Sequence, residues 1–266
     1  MKKITVAAGC LLLAALSYGQ DTTMIYFDAS WKETAKENAA YYRKKFKAGT
    51  DWGIIDYYLS GKVQSTGLYS DDSCNIQNGA FAWYSEDGNV NHTSHYKEGK
   101  INGPEIRYYN NGNKQLEGNY TMGQEEGEWV GYYQSGKVSG KAQYKEGKQI
   151  AGSFFNEDGT ANRNIRVFNK PAEYPSGMKA MGPYLSTNLV YPEKAQKKNI
   201  QGTVIIQFIV TKEGNITDVS VAKPVDPLLD KEAMRVIKQM PQWVPAIMGG
   251  RYVQSYIKQP ITFKFQ

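Results

Sequence analysis

Through the first two thirds of the chain, aromatic residues recur in pairs, and each pair is followed by polar residues and a glycine. Tyr57-Tyr58 precedes Gly61, Trp83-Tyr84 precedes Gly88, Tyr108-Tyr109 precedes Gly112, Tyr132-Tyr133 precedes Gly136, and Phe154-Phe155 precedes Gly159. A second series lies between them: Tyr96-Lys-Glu-Gly99, Tyr120-Thr-Met-Gly123 and Tyr144-Lys-Glu-Gly147. From Gly88 to Gly112 to Gly136, and from Tyr96 to Tyr120 to Tyr144, the step is 24 residues. Aromatic side chains suit a pleated, half-buried face, and Asn, Asp or Ser ahead of Gly suits a tight hairpin turn. Each unit therefore predicts strand, turn, strand, turn. One hairpin cannot bury its apolar face alone, whereas stacked neighbours can, so the repetition predicts a continuous antiparallel sheet. Trp83, Tyr109 and Tyr133 are expected in equivalent places. Ahead of the repeats, "IYFDASW" reads as a strand. "ETAKENAAYYRKKFK" has a helical composition, but its second half also reads as the strand that opens the sheet, with Tyr41-Tyr42 as a degenerate pair.

After Phe168 the rhythm stops at "NKPAEYPSG", which reads as a proline-containing linker. A helical pattern then places Met178, Met181, Leu185 and Leu189 on one face, weakened by Gly182-Pro183. "TVIIQFIV" is a strand with Val204, Ile206, Phe208 and Val210 on one side, "KEGN" is a turn, and "ITDVSVA" is the partner strand. The strongest helix follows. Asp226 caps it, Pro227 suits its first turn, Leu229, Ala233, Val236, Ile237 and Met240 line one face, and Pro241 ends it. The last strand reads as "YVQSYIKQPITFKF", with Val253, Ile257, Ile261, Phe263 and Phe265 inward. Pro260 has no N–H to give a ladder, so this strand is expected at a sheet edge.

The repeat pattern over residues 51–166 resembles the MORN repeat in its divergent, YwqK-like bacterial form. The stretch from Tyr191-Pro192 through Ala195, Gly202, Phe208, Gly214, Asp218, Asp230 and Trp243 to Pro245 resembles the C-terminal domain of the energy transducer TonB, in the type found in Bacteroidetes. Together these imply a mainly β plus α+β chain: a MORN-like antiparallel β-hairpin repeat sheet over 20–168, then a TonB C-terminal-like α+β domain over 173–266. The second resemblance implies a periplasmic protein that binds an extended peptide, the TonB box of an outer-membrane receptor, by strand addition. The partner would be such a TonB-dependent receptor or another envelope protein, and a second copy of the chain could also cover the edge. The residues expected to bind are Asn188, Leu189, Val190, Tyr191 and Pro192, with Arg251, Tyr252, Val253, Gln254, Ser255, Tyr256, Ile257 and Lys258. Members of the family also carry a membrane helix and a long Pro/Lys-rich spacer. Here the repeats stand where the spacer would be, so peptide binding is retained from the resemblance and force transmission is not.

The N-terminus adds an address. Lys2 and Lys3, an apolar run from Ile4 to Leu16, and Ser17-Tyr18-Gly19 read as an export signal spanning residues 1–19, cleaved before Gln20. The alternative is an uncleaved N-terminal anchor, which would make the chain a membrane-bound transducer. A lipoprotein signal ending at Cys10 would leave too few residues before that cysteine. Export makes Cys74 the sole mature cysteine, so no internal disulfide forms. The formal charge of +6 is mild and scattered, which argues against nucleic acid. His92 and His95 are the only histidines, with no carboxylate or cysteine cluster beside them to complete a metal set. Glu125, Glu126 and Glu128 read as a solvated turn. No nucleophile elbow or phosphate loop is present. The chain thus reads as a binding protein without cofactor or catalytic site.

Overall fold

In the computed structural model, which describes residues 22–265, the aromatic rhythm becomes one sheet. The export-signal reading lies outside the described residues. Strands Thr22–Phe27 (β1), Tyr41–Ala48 (β2), Asp51–Tyr58 (β3), Val63–Tyr69 (β4), Gly79–Tyr84 (β5), Val90–Lys97 (β6), Lys100–Ile101 (β7), Gly103–Tyr108 (β8), Lys114–Thr121 (β9), Gln124–Tyr132 (β10), Val138–Lys145 (β11) and Lys148–Phe154 (β12) form a 12-stranded antiparallel sheet in chain order, with β7 set off the main path against β6. Of the ambiguous N-terminal stretch, Lys36–Asn38 is a single 3-10 turn and the residues after it are β2.

The core of this sheet rests on an alternation of large and small residues. Directly opposed residues share a face, and one row, continued from hairpin to hairpin along the registers of the strands between them, runs Ile54, Gly67, Phe81, Ser94, Glu105, Gly118, Trp129, Ala142. The aromatic rings lie over the glycines of the neighbouring strand. A Cβ on Gly67 would sit 2.0 Å from the Phe81 ring, and one on Gly118 would sit 2.1 Å from the Trp129 indole. Two residues after each small position stands a tyrosine. Tyr69 and Tyr96 meet Phe81 edge-on, and Tyr120 and Tyr144 do the same to Trp129. Burial pushes the Tyr144 phenol up to about 12, which keeps it neutral.

Each unit also carries a β-bulge at the same place. Asp56 faces Ser65 while Tyr57 faces Val63, leaving Gln64 as the extra residue, and Asn91, Gln115 and Ser139 are extra in the units that follow. The turn hydrogen bonds correct one expectation. The tyrosines that open each turn are Tyr58, Tyr109 and Tyr133, whose hydroxyls donate to the carbonyls of Tyr84, Tyr132 and Phe155 at 2.8 Å. In the unit of Trp83 that place is taken by Ser85, which accepts the turn hydrogen bond from Gly88. Trp83 itself is level with Asp56, Arg107 and Gly131. The turns are alike, but the pair Trp83-Tyr84 stands one residue further from its turn glycine than the tyrosine pairs do, so counting from the aromatic pair misplaces it. Tyr133→Phe removes only the hydroxyl and is expected to lower stability by about 1 kcal/mol, read as a shift of the urea midpoint.

Paired carboxylates stand on both faces of the sheet. Arg43 pairs with Asp56, and Glu117 accepts from Lys114 and from the Tyr132 hydroxyl. Glu105 is buried beside Arg107 (2.6 Å) and His92 (3.3 Å). Burial pushes the Glu105 pKa up, but the hydrogen bond from His92 and the Arg107 guanidinium outweigh it, and the net shift is downward. A carboxyl depressed in the folded state contributes stability that is present above its unfolded pKa and lost as pH falls through its folded one. Glu105→Gln is therefore expected to be less stable than the parent at neutral pH, with the gap closing on acidification below the carboxylate range. Urea midpoints measured across pH test this. His95 lies three residues from His92 on β6, hence on the opposite face, so the two cannot share a ligand from that strand.

The chain divides into two compact units between Asn164 and Ile165. The second contains helices Met178–Asn188 (α1), Glu193–Lys197 (α2) and Pro227–Lys238 (α3), with strands Gly202–Val210 (β13), Ile216–Lys223 (β14), Ala246–Met248 (β15), Arg251–Val253 (β16) and Ser255–Phe263 (β17). β14, β13 and β17 form a three-stranded sheet in that order, while β15 and β16 form a separate hairpin. Leu229, Ala233, Val236 and Ile237 of α3 pack with Val204, Ile206, Phe208 and Val210 of β13. The Asp226 carboxylate accepts from the Leu228 N–H at 2.9 Å, capping α3 as its sequence predicts. The segment that reads as a linker is part of this core. Lys170 bridges Ile247, Glu173 bridges Val244, and Ala172 and Tyr174 are buried. Met178 is 46 % exposed at the start of α1 and takes no place in the core. Among the described residues, no helix is long and apolar enough to cross a membrane.

Candidate partner-binding edge

β17 is an outer strand of its sheet, paired along its whole length with β13 from Ser255↔Val210 to Phe263↔Gly202 without a register shift. Pro260 sits inside that unbroken ladder opposite Ile205. Proline survives in a paired strand where its nitrogen faces away from the partner. In an antiparallel ladder this direction alternates, so the N–H groups of Tyr256, Lys258 and Thr262 share the outward direction of Pro260, and those of Ile257, Gln259 and Ile261 face β13. The side chains alternate as well. Ile261 and Phe263 are buried against α3, whereas Tyr256, Lys258, Pro260 and Thr262 are exposed, Tyr256 to 78 %.

The thirteen residues that the sequence singles out fall into three places. Ser255, Tyr256, Ile257 and Lys258 lie on the edge strand. Arg251, Tyr252 and Val253 do not: they form β16 and pair with Met248, Ile247 and Ala246 of β15. Arg251 is buried and donates to the Met248 carbonyl at 2.8 Å. The single final strand expected from alternation is thus split. Gly249-Gly250, both at positive φ, turn one hairpin, and Gln254 separates it from β17. Asn188, Leu189, Val190, Tyr191 and Pro192 close α1 and lead into α2. Tyr191 stacks on Phe265 (5.2 Å, 13°) and meets Phe263 edge-on, and its hydroxyl donates to the Ile200 carbonyl at 2.6 Å. This aromatic contact holds the 188–192 segment at the C-terminal end of β17, away from Tyr256 and Lys258. It also takes Phe265 out of the expected inward row.

The 188–192 segment is fixed by α3 as well. Arg235 donates to the Asn188 carbonyl (2.7 Å) and to Glu232, and Glu232 accepts from the Val190 N–H (2.7 Å). Burial raises the Glu232 pKa, but the Arg235 hydrogen bond and the Val190 N–H outweigh it, so the group is held below its ordinary value. Val190 itself is exposed. Pro260 and Thr262 lie outside the thirteen and continue the outward edge past Lys258. The signal for them is the proline, since it sets which alternate N–H groups face out.

Residues 187–265 match the family model described as the Gram-negative bacterial TonB protein C-terminal. Residues 101–121 and 125–146 match the MORN repeat variant. The chain is 31 % identical over 100 residues to Protein TonB of Pseudomonas aeruginosa, a match that covers 36 % of this chain and 29 % of that protein. The chain thus spans under a third of the length of the curated relative it matches. Among solved structures, it is similar to the TonB-CTD of Helicobacter pylori at 22 % identity and a TM-score of 0.27, over 34 % of this chain and 80 % of that one. It is also similar to the accessory secretory protein 1, 2 and 3 structure from Streptococcus pneumoniae at 9 % identity and a TM-score of 0.23, over 55 % of this chain and 24 % of that one.

Proposed function

We propose that this is a periplasmic, TonB-like binding protein of the cell envelope, which captures an extended peptide of an outer-membrane TonB-dependent receptor by adding it as a strand to β17. The observation that carries this reading is the outer edge of β17, with its outward N–H groups at Tyr256, Lys258 and Thr262, in a domain that matches the TonB C-terminal family. An unpaired strand edge is a template for main-chain hydrogen bonds, and the exposed side chains of Tyr256 and Lys258 supply selection. The repeat sheet serves as a second docking surface for envelope partners. No catalytic step is part of this reading.

Lys258→Pro tests it. This substitution removes an outward N–H at the same alternation as Pro260 and leaves the ladder to β13 intact. The variant is expected to fold and to lose most of its affinity for a synthetic peptide bearing a receptor's TonB-box sequence, by about tenfold or more. Full affinity in the folded variant would contradict strand addition at this edge.

A further inference from the structure

The geometry points to a saccharide-binding pocket in the repeat sheet, lined in part by Trp31, Arg43, Asp56, Gln64, Phe81 and Trp83, with a volume of about 260 Å³. The pocket follows from the cross-strand row in which Arg43 faces Asp56, Asp56 faces Ser65, and Ser65 faces Trp83. Ser65 is the small member of that row. It leaves a gap between the ion pair on one side and the indole on the other. On its far side Trp83 lies flat on His92, at 4.6 Å and 15°, so the ring is braced from behind. Trp31 comes from the loop after β1 and is braced in the same way, stacked on Tyr41 at 4.7 Å and 8°.

The polar side of the pocket carries no net charge. Arg43 Nε donates to Asp56 Oδ1 at 2.7 Å, Arg43 Nη2 donates to Oδ2 at 3.0 Å, and Ser65 Oγ donates to Oδ2 at 2.8 Å. An ionic ligand would have to compete with this pair. What the pocket still asks for is a hydrogen-bond donor. Gln64 is the bulge residue of β4, and a bulge re-aims a side chain. Its Oε1 is buried with no hydrogen-bond partner among the described residues. A buried acceptor left unmet is costly; Gln64 lines the cavity, and a turn of its side chain brings this acceptor out to an incoming hydroxyl. Aromatic faces beside a neutral polar floor suit a pyranose ring, whose C–H face packs on indole while its hydroxyls both donate and accept. The volume is just below the range of roughly 300–1,000 Å³ typical of small-molecule sites, which suits one or two sugar rings and not a larger cofactor.

The wall also explains why this unit differs from its neighbours. Between the later hairpins, the pairs equivalent to Ser65 and Trp83 are His92 with Arg107, where β6 meets β8, and Leu116 with Gly131, where β9 meets β10. Among these, only the pairing of Ser65 with Trp83 sets an indole beside a hydroxyl-sized gap and an ion pair.

The test uses the full chain and three probes: maltohexaose, cellohexaose and N-acetylated chitohexaose, followed by tryptophan fluorescence and titration calorimetry. Binding of at least one is expected. A preference for chitohexaose assigns an amino-sugar wall polymer as the source, and a preference for a glucose oligomer assigns a free oligosaccharide. Gln64→Leu separates a ligand role from a structural one. It fills similar space without the unmet acceptor, so it is expected to equal or exceed the parent in thermal stability while binding at least about tenfold more weakly. Trp83→Ala should abolish binding. No binding of any probe at ~10 mM, or binding unchanged in folded Gln64→Leu and Trp83→Ala, would overturn the proposal.

Discussion

Trp129→Ala is expected to destabilise the repeat sheet by about 3–5 kcal/mol, the range for deleting a large buried aromatic. The indole is 1 % exposed, lies over the Gly118 backbone, and takes Tyr120 and Tyr144 against its edges. The loss therefore comprises the transfer of a large ring to water, two edge-on aromatic contacts, and a void that β9 and β11 cannot close without bending. The same geometry predicts a change of sign. In the parent, Gly118→Ala would place a Cβ 2.1 Å from the indole, so the ring or the strand must move and stability falls. In the Trp129→Ala background that obstacle is gone. Gly to Ala within a strand is then expected to be neutral or to stabilise by about 0.5–1 kcal/mol. A double-mutant cycle in urea reads this coupling directly. Additive effects would mean that the ring does not rest on Gly118.

The second large effect is expected in the other unit. Gly214→Ala should lower its stability by more than ~3 kcal/mol, because two causes add. Gly214 turns β13 into β14 at φ +88, which a side chain tolerates poorly, and its Cβ would lie 2.1 Å from the Trp243 carbonyl oxygen. That neighbour is backbone and cannot swing aside. It is held in place, since the Trp243 N–H donates to the Gly214 carbonyl at 2.8 Å and the indole packs on Phe208 and Tyr174. Gly112→Ala provides the comparison. Its φ is +83, but nothing lies within 4 Å of the new Cβ, so only the conformational cost of roughly 1–2 kcal/mol applies. Thermal unfolding of the two variants separates strain from collision, and equal losses would contradict the packing of Trp243 over this turn.

The repeat architecture is legible in the sequence because ring, turn and glycine recur at one step, and a sheet is the arrangement that buries all the rings at once. The amphipathic face of α3 and its Asp226 cap are legible for the same local reason. The bulges are not. Gln64, Asn91, Gln115 and Ser139 look like ordinary polar strand residues, and only the partner strand shows that each is extra. Trp83 reads as a match to Tyr109 for another reason: its aromatic pair stands one residue further from the turn glycine, whereas the 24-residue step already takes Trp83 to Arg107. The final strand misleads in a related way. Alternation runs without interruption through "YVQSYIKQ", and the Gly249-Gly250 turn that folds its first residues onto β15 lies just upstream of it. Tyr174 shows the limit of reading linkers from proline content, since a loop residue is drawn into the core by Trp243, a residue far away in the chain. Of the candidate edge, Pro260 carries the most information. It marks the strand as outer and sets which amides point outward. The separation of residues 188–192 from Tyr256 depends on the stacking of Tyr191 on Phe265, which no local pattern encodes.

Amide hydrogen exchange of the full chain, with and without a TonB-box peptide at saturating, ~millimolar concentration, tests the strand-addition function most directly. Residue-resolved spectra should show new protection at the outward amides of Tyr256, Lys258 and Thr262, with little change at Ile257 and Ile261, whose N–H groups already serve the ladder to β13. Protection confined to residues outside 188–192 and 251–263, or no binding at that concentration, would contradict it.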